Sequence, residues 1–326
     1  MTWLVTGGAG YIGSHILQAF GRSGHDAVVL DDLSTGLRHY VPNGVPFVEG
    51  SVGDPAVLAQ VLDSHDVTGV IHLAGAKQAG ESVNQPLYYY RQNVTGMQVL
   101  LEAVLERGID KFVLSSSAAY YGTPNVDIVT EDEPARPESP YGESKVISEW
   151  LLRDAAVVNP ALRQISLRYF NVVGCGEQMT LDHSVTNLFP MVFRALGRGQ
   201  TPHIFGDDYP TPDGTCVRDY IHVVDLAEAH VRAAERLEFG TACAPVYNVG
   251  RGEGASVREV MQRMAQITEI DFEPVIQPRR PGDPARIVGS VDRIYSELGW
   301  QARHDLNDMV TSAWAAWQHY QQTQAG

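Results

Sequence analysis

Within its first dozen residues the chain leaves an apolar stretch, Trp3–Thr6, for Gly7-Gly8-Ala9-Gly10-Tyr11-Ile12-Gly13, then continues as Ser14-His15-Ile16-Leu17. A strand that turns through closely spaced glycines into a helix has few uses. The glycines let the turn tighten and let backbone approach a pyrophosphate. The helix behind them offers unpaired N–H groups and the positive end of its dipole. This opening predicts parallel strands with helices packed on both faces, and a ligand carrying a diphosphate. A glycine-rich βα turn without a ligand has the same look, so residues further along have to decide.

The pattern continues. Short apolar runs at Ala27–Leu30, Phe47–Val48, Gly69–Leu73, Lys111–Ser115 and Gln164–Tyr169 alternate with helical stretches. The latter include Val94, Met97, Leu100, Leu101 and Val104, and the segment Ser139 to Asn159. Continuous apolar runs are expected of parallel strands buried on both faces. The expected class is α/β, a Rossmann-type doubly wound parallel sheet. Beyond Asn171, turn-like stretches become frequent, as in Gly206-Asp207-Asp208-Tyr209-Pro210 and Arg279-Arg280-Pro281-Gly282-Asp283, with helices at Val223–Leu237, Ser256–Ile267 and Asn307–Tyr320. The expected division is a nucleotide-binding domain over 1–171, also receiving segments near 217–250, and a smaller, discontinuous mixed α/β C-terminal substrate domain over 172–326.

Composition narrows the partners. A net charge of −15 argues against non-specific binding to nucleic acid or to an anionic membrane, so any bound anion needs local cations. No apolar run approaches the length of a membrane span. Cys175, Cys216 and Cys243 have no metal-like spacing, the histidines are scattered, and no signal peptide precedes the first strand; a reducing cytoplasm and no metal are expected.

Two further features bear on chemistry. Asp31-Asp32 ends the second strand, with Asp31 18 residues after Gly13. A carboxylate there accepts both ribose hydroxyls and repels a 2′-phosphate, which favours NAD over NADP, although nearby Arg38 leaves a phosphate partner open. Downstream, Ser139-Pro140 starts a helix that places Tyr141 and Lys145 one turn apart on one face with Ser148, away from Val146, Ile147 and Trp150. Only three of the 24 basic residues are lysines, so a lysine here points to a need for a compact, tunable ammonium. A phenol serving as base near neutrality needs its pKa lowered by about three units. One nearby cation supplies about one to three. Lys145 alone is borderline, and Tyr141 is expected to become an effective base only beside a second positive charge, that of an oxidised nicotinamide. Ser117, after the fifth strand, would hydrogen-bond the reacting hydroxyl.

Taken together, the glycine turn, Asp31-Asp32-Leu33, Gly75-Ala76-Lys77, Gly80-Glu81-Ser82-Val83, the Ser117/Tyr141/Lys145 set, Arg168-Tyr169-Phe170-Asn171, Phe205-Gly206-Asp207-Asp208-Tyr209-Pro210-Thr211 and Val217-Arg218-Asp219-Tyr220-Ile221-His222-Val223 resemble the extended short-chain dehydrogenase/reductase family, and within it the branch that epimerises UDP-sugars. The resemblance spans nearly the whole chain. It implies a tightly held, unconsumed NAD and reversible inversion at C4 of a UDP-hexose, UDP-galactose or UDP-glucose, through a 4-keto sugar. In the resemblance Tyr141, Lys145 and Ser117 are catalytic. The implied NAD-binding residues are Gly7, Gly10, Tyr11, Ile12, Gly13, Asp31, Asp32, Leu33, Ser34, Thr35, Gly36, Ser51, Val52, Leu73, Ala74, Gly75, Lys77, Asn93, Ser115, Tyr141, Lys145 and Phe170. The implied substrate contacts are Lys77, Ser117, Tyr141, Asn171, Asn187, Leu188, His203, Ile204, Phe205, Arg218, Tyr220, Arg280, Asp283 and Ile287, the last at a position that gates 2-acetamido sugars.

The chain departs from the family pattern at Ser51, where Asp is frequent, at Ala119 and Tyr120, and in a shortened Gly174–Thr186 loop. A UDP-N-acetylhexosamine or a UDP-uronate remains open as substrate, as does a non-catalytic NAD-binding module. Sugar dehydration would need a carboxylate in Ser117-Ala118-Ala119-Tyr120, which has none. The family also implies a homodimer, through a helix at about Leu87–Arg107 and the helix that begins near Tyr141.

Overall fold

Residues next to each other on a strand point to opposite sides of its sheet. Accordingly, Trp3, Val5, Val29, Ile71, Val113 and Ile165 enter one hydrophobic core, while Leu4, Val28, Leu30, Val70, Phe112 and Leu114 enter a second. The unbroken apolar runs have no solvent face to supply.

The computed structural model describes residues 1–177, 179–184, 186–280 and 282–324. In chain order the strands are β1 (Thr2–Thr6), β2 (Asp26–Asp31), β3 (Phe47–Glu49), β4 (Val67–His72), β5 (Lys111–Ser115), β6 (Arg163–Tyr169), β7 (Asn171–Val173), β8 (His203–Phe205), β9 (Val217–His222), β10 (Val246–Val249), β11 (Gly254–Ser256), β12 (Val275–Gln277) and β13 (Arg286–Ile287). The helices are α1 (Tyr11–Ser23), α2 (Pro55–Ser64), α3 (Ala79–Asn84), α4 (Pro86–Tyr89), α5 (Gly96–Glu106), α6 (Pro140–Val158), α7 (Leu188–Gly197), α8 (Val223–Phe239), α9 (Val257–Thr268), α10 (Asp292–Leu298) and α11 (Leu306–Gln324). Pro281, in one expected turn, and Gln178 and Val185, in the 174–186 loop, lie outside the described residues.

Seven parallel strands form the main sheet in the order β3-β2-β1-β4-β5-β6-β10. Ile16, Leu17 and Phe20 of α1 and Leu226 and Leu237 of α8 cover one face. Leu58 and Val61 of α2, Met97 and Leu100 of α5 and Leu152 of α6 cover the other. The strand order reverses between β1 and β4, which opens a crevice at their C-terminal ends. Although α8 and β10 follow residue 171, they complete this sheet; β9, between them and β7, does not. It joins β7, β11 and β13 in a four-stranded sheet, and β12 pairs with β8. A third core, built from α7, α9 and α11, supports these smaller sheets through Phe189, Phe193, Met261, Met264, Met309 and Trp317.

One expected element differs. The helix anticipated from Leu87 to Arg107 is α4, then a π-helical stretch Tyr90–Thr95, then α5. The apolar periodicity continues across the wider turn, so the pattern does not register it. Strands β7 to β13 are also absent from the sequence reading; five of them have only two or three residues, too few for a measurable period, and β9 and β10 were missed as well.

Candidate functional site

At the crevice, Gly7 has φ +73°, and a Cβ there would stand 2.8 Å from the Ala74 backbone nitrogen across the strand-order reversal. A Cβ on Gly13 would stand 2.3 Å from the Gly7 carbonyl oxygen. Both glycines are thus required by close approach of backbone. Gly10 is the N-cap of α1 and gives it no side-chain cap, so the first-turn N–H groups stay available. They open onto a cavity of about 460 Å³.

This cavity takes in Gly7, Gly10, Tyr11, Ile12, Gly13, Asp31, Asp32, Ser34, Thr35 and Gly36 from β1, α1 and the end of β2. Ser51 and Val52 line it after β3, Leu73, Ala74, Gly75 and Lys77 after β4, and Tyr141 and Lys145 from α6. Asp31 is buried; its Oδ2 accepts the Ala9 N–H at 2.9 Å and its Oδ1 the Leu33 N–H at 2.9 Å, so the carboxylate also ties the glycine turn to β2. Burial raises its pKa against those two hydrogen bonds. Arg38 stacks on Phe47 at 4.4 Å and does not line the cavity. The glycine cradle, the uncapped helix end and a carboxylate without a lining arginine fit a dinucleotide with a free ribose.

Four residues expected at the cofactor stand behind the wall instead. The Leu33 side chain packs on the first core. Asn93, on the π-helical stretch, accepts the Ala76 N–H at 2.8 Å and donates to the Ala76 carbonyl and to Ser144 Oγ, both at 2.9 Å. It therefore holds the loop after β4 to α6. Ser115 directs its hydroxyl to His230 Nε2 at 2.7 Å, leaving its carbonyl to accept from Lys145 Nζ at 2.9 Å. Phe170 packs under Gly289, where a Cβ would meet its ring at 2.5 Å.

On α6, Ser139 Oγ caps the Gly142 N–H at 3.2 Å and Pro140 occupies the first turn, which fixes where the helix starts and which way Tyr141 faces. Lys145 Nζ lies 6.0 Å from the Tyr141 ring centroid. Burial raises the pKa of the Tyr141 phenol, and a hydrogen bond from Ser117 opposes that rise. Burial draws Lys145 down to about 8, with the Glu149 carboxylate acting the other way. Burial thus favours the protonated form of the Tyr141 phenol, and Ser117 acts against it.

A second cavity, of about 680 Å³, lies where the chain leaves the main sheet between β6 and β7. Asn171, Asn187, Leu188, His203, Phe205, Arg218, Tyr220, Arg280 and Asp283 line it. Tyr169 borders the first cavity and Asn171 the second, so a two-residue step joins them. Arg218 donates to the Pro284 carbonyl at 2.6 Å and stands 3.5 Å from Asp283. The Arg280 guanidinium rests over Phe205 at 4.0 Å. Five expected contacts do not line it: Lys77 and Tyr141 line the first cavity instead, and Ser117, whose Oγ accepts the Ala119 N–H at 3.1 Å, lines neither, nor do Ile204 and Ile287. Ile204 lies between His203 and Phe205 on β8, so strand alternation sends its side chain into the third core. Ile287 is buried with Ala118, Tyr121, Val129 and Phe170.

Sequence reasoning missed Gln78, Glu81, Tyr88, Tyr89 and Gln92, which also line the first cavity. Glu81 accepts from Tyr89 Oη at 2.7 Å. The Tyr88-Tyr89-Tyr90 run at the start of the expected helix was the available signal. In the second cavity Met191, Pro202 and Cys216 were missed, and nothing in their local sequence sets them apart.

A sequence model of the NAD dependent epimerase/dehydratase family matches residues 3–250. A UDP-glucose 4-epimerase of Azospirillum brasilense is 46% identical over 319 residues, covering 97% of this chain and 91% of that protein. One from Bacillus subtilis (strain 168) is 39% identical over 330 residues, covering 98% and 97%. The crystal structure of a UDP-glucose 4-epimerase from Stenotrophomonas maltophila, with bound NAD and formylated UDP-arabinopyranose, superposes with a TM-score of 0.95 at 36% identity over 99% of both chains. That from Bifidobacterium longum, in complex with NAD+ and UDP, superposes with a TM-score of 0.91 at 36% identity, again over 99% of both.

Proposed function

We propose, for a chain that belongs to the NAD dependent epimerase/dehydratase family, NAD-dependent reversible inversion at C4 of a UDP-hexose, between UDP-galactose and UDP-glucose, with Tyr141, Lys145 and Ser117 carrying the chemistry. The observation that supports it most is the placing of Tyr141 and Lys145 in the same cavity as the glycine cradle, one step along the chain from a second cavity with two arginines.

When bound, NAD supplies a hydride acceptor for C4 and a positive charge beside Tyr141. The residues assigned to hold it are those of the glycine turn, Asp31, the stretches after β2, β3 and β4, and Lys145. Tyr141 Oη takes the proton of the 4-hydroxyl and later gives it back, and Ser117 Oγ orients that hydroxyl. The Lys145 ammonium, fixed on the Ser115 carbonyl, favours the phenolate. Arg218 and Arg280 bind the diphosphate, supplying the positive charge that an acidic chain lacks overall. Asn171, Asn187 and the residues of the second cavity hold the nucleotide and sugar. For the same sugar to present either face, it turns between the two proton transfers.

This reading carries three further assignments. The division into a dinucleotide-binding part over 1–171 and a substrate part over 172–326 is supported by the two cavities, with α8 and β10 exchanged into the first sheet. A homodimer is supported by apolar surface left on adjacent helices: Leu87 of α4 and Trp150, Val157 and Val158 of α6 are exposed. Light scattering at micromolar concentration should give twice the chain mass, and a monomer would remove this assignment. Residence in the cytoplasm is supported by three unpaired cysteines; no helix among the described residues is long and apolar enough to cross a membrane.

The test is incubation of purified protein with UDP-galactose, UDP-N-acetylgalactosamine or UDP-glucuronate, without added NAD, followed by product identification. UDP-glucose should appear from UDP-galactose, and Tyr141→Phe should lower kcat by about 10²–10⁴-fold while NAD stays bound. Full turnover by Tyr141→Phe would sink the assignment of the base.

A further inference from the structure

Arg168 on β6 and Glu149 on α6 form an ion pair buried from solvent. Arg168 Nη2 lies 2.6 Å from Glu149 Oε2, and Nε lies 2.9 Å from Oε1. Such a pair rarely stabilises a fold more than apolar residues of equal volume would, because desolvation offsets the attraction. Its neighbours indicate another use. The guanidinium also donates to Tyr121 Oη at 3.0 Å and to the Glu131 carbonyl at 3.1 Å, and it stacks on Tyr120 at 3.4 Å. Ser116 donates its hydroxyl to Glu149. The segment 116–121, which holds Ser117, is thereby bound to the helix that holds Tyr141 and Lys145.

Glu149 also stands one helical turn beyond Lys145. The groups that face Lys145 are the Ser115 carbonyl from β5, His72 from β4, and Tyr141 and Glu149 from its own helix; His230 from α8 bonds the Ser115 hydroxyl, Tyr169 of β6 borders the same cavity, and Arg168 of β6 acts on Lys145 through its pairing with Glu149. Burial keeps His72, His230 and Tyr169 neutral. Of these groups, Glu149 alone is negative.

We propose that Arg168 and Glu149 are positioning residues for the epimerase reaction: their pair seats Ser117 against Tyr141, and the Glu149 carboxylate keeps Lys145 an ammonium while Arg168 limits how strongly it does so. The proposal rests on the roles given above to Tyr141 and Lys145. Because Lys145 titrates near 8, small changes of nearby charge act within the working pH range. Each unit of displacement changes its ammonium fraction above the titration point by about tenfold.

The experiment compares the holoenzyme with Glu149→Gln, Arg168→Met and the double variant, measuring kcat from pH 6 to 9, NAD content and the thermal midpoint. Glu149→Gln should move the alkaline limb of kcat toward acid by about one unit, losing about tenfold at pH 9, about threefold at pH 7.5 and little at pH 6. Arg168→Met, leaving the carboxylate unopposed, should move the limb toward alkali. The double variant should lie between them, and all three should retain NAD. Opposed shifts do not arise from loss of folding. Unshifted limbs, or a loss equal at every pH that follows the thermal midpoint, would overturn the proposal. If Glu149→Gln does not fold, the alkaline shift of Arg168→Met decides. Should Tyr141→Phe stay active, the assignment of the base fails first; should it be inactive while the limbs stay put, only the role of the pair is lost.

Discussion

The two cavities are made differently. The first is largely backbone: glycines at 7, 10 and 13, an open helix end, and loops that leave the ends of neighbouring strands. The second is made of side chains from β7, α7, β8 and β9 together with Arg280 and Asp283, and its outermost members, Asn171 and Asp283, are more than a hundred positions apart. A backbone site tolerates few residue types at few positions. A side-chain site depends on the accuracy with which distant segments are packed together. Damage to the first should therefore strike cofactor retention, and damage to the second should strike substrate affinity alone.

Acid gives the largest expected effect, because it attacks the joint between the regions. His15 on α1 accepts the Gly176 N–H at 2.9 Å through Nε2, and His222 on β9 bonds Ser312 of α11 at 2.9 Å. Burial lowers His15 to about 4 and His222 to about 3, and it does the same to His72, about 3, and His230, about 4. Above pH 6.5 neither the folded nor the unfolded chain protonates them, so their contribution is flat; Asp219, which burial raises to about 7, gains stability on acidification and offsets one of the four. Below 6.5 only the unfolded chain takes up protons, and stability falls by about 1.4 kcal/mol per pH unit for each histidine until pH nears 4. Urea midpoints between pH 7.5 and 5 should drop only below about 6.5; a flat profile would break the account of the joint.

Gly13→Ala comes next. Its Cβ would press on the Gly7 carbonyl at 2.3 Å, a backbone contact that no rotamer relieves. A cost of about 1–3 kcal/mol should appear as lost NAD and a lower thermal midpoint, with the KM of the remaining holoenzyme unchanged. Arg218→Met should do the reverse: KM for the UDP-sugar up by about ten- to a hundredfold, from the loss of charge-assisted hydrogen bonds, with NAD content intact. If both variants lost NAD equally, the contrast between the cavities would not stand.

The same contrast explains what could be read from sequence. The glycine turn, Asp31 and the Tyr141/Lys145 pair are legible because each is defined within a few residues, by a turn, a strand end or one helical face. Asn93 was placed at the cofactor by resemblance; its side chain also braces the Ala76 loop from a π-helical stretch, and neither the stretch nor the brace leaves a mark on apolar period. His203, Ile204 and Phe205 were taken together as contacts, although three successive strand residues do not share a face; alternation alone would have set Ile204 aside. Met191, Pro202 and Cys216 reach their cavity through tertiary packing, and local spacing contains no record of that.

The place of β10 has a consequence for a chain emerging from the ribosome. The outer edge of β6 gains its neighbour only when Val246–Val249 have been made, after α7, β8, β9 and α8. The glycine cradle emerges first, but its sheet keeps a bare, apolar edge through most of synthesis, an invitation to mispairing with other nascent strands. Completion of the nucleotide crevice is thereby deferred until most of the sugar side exists, so the two halves are finished together.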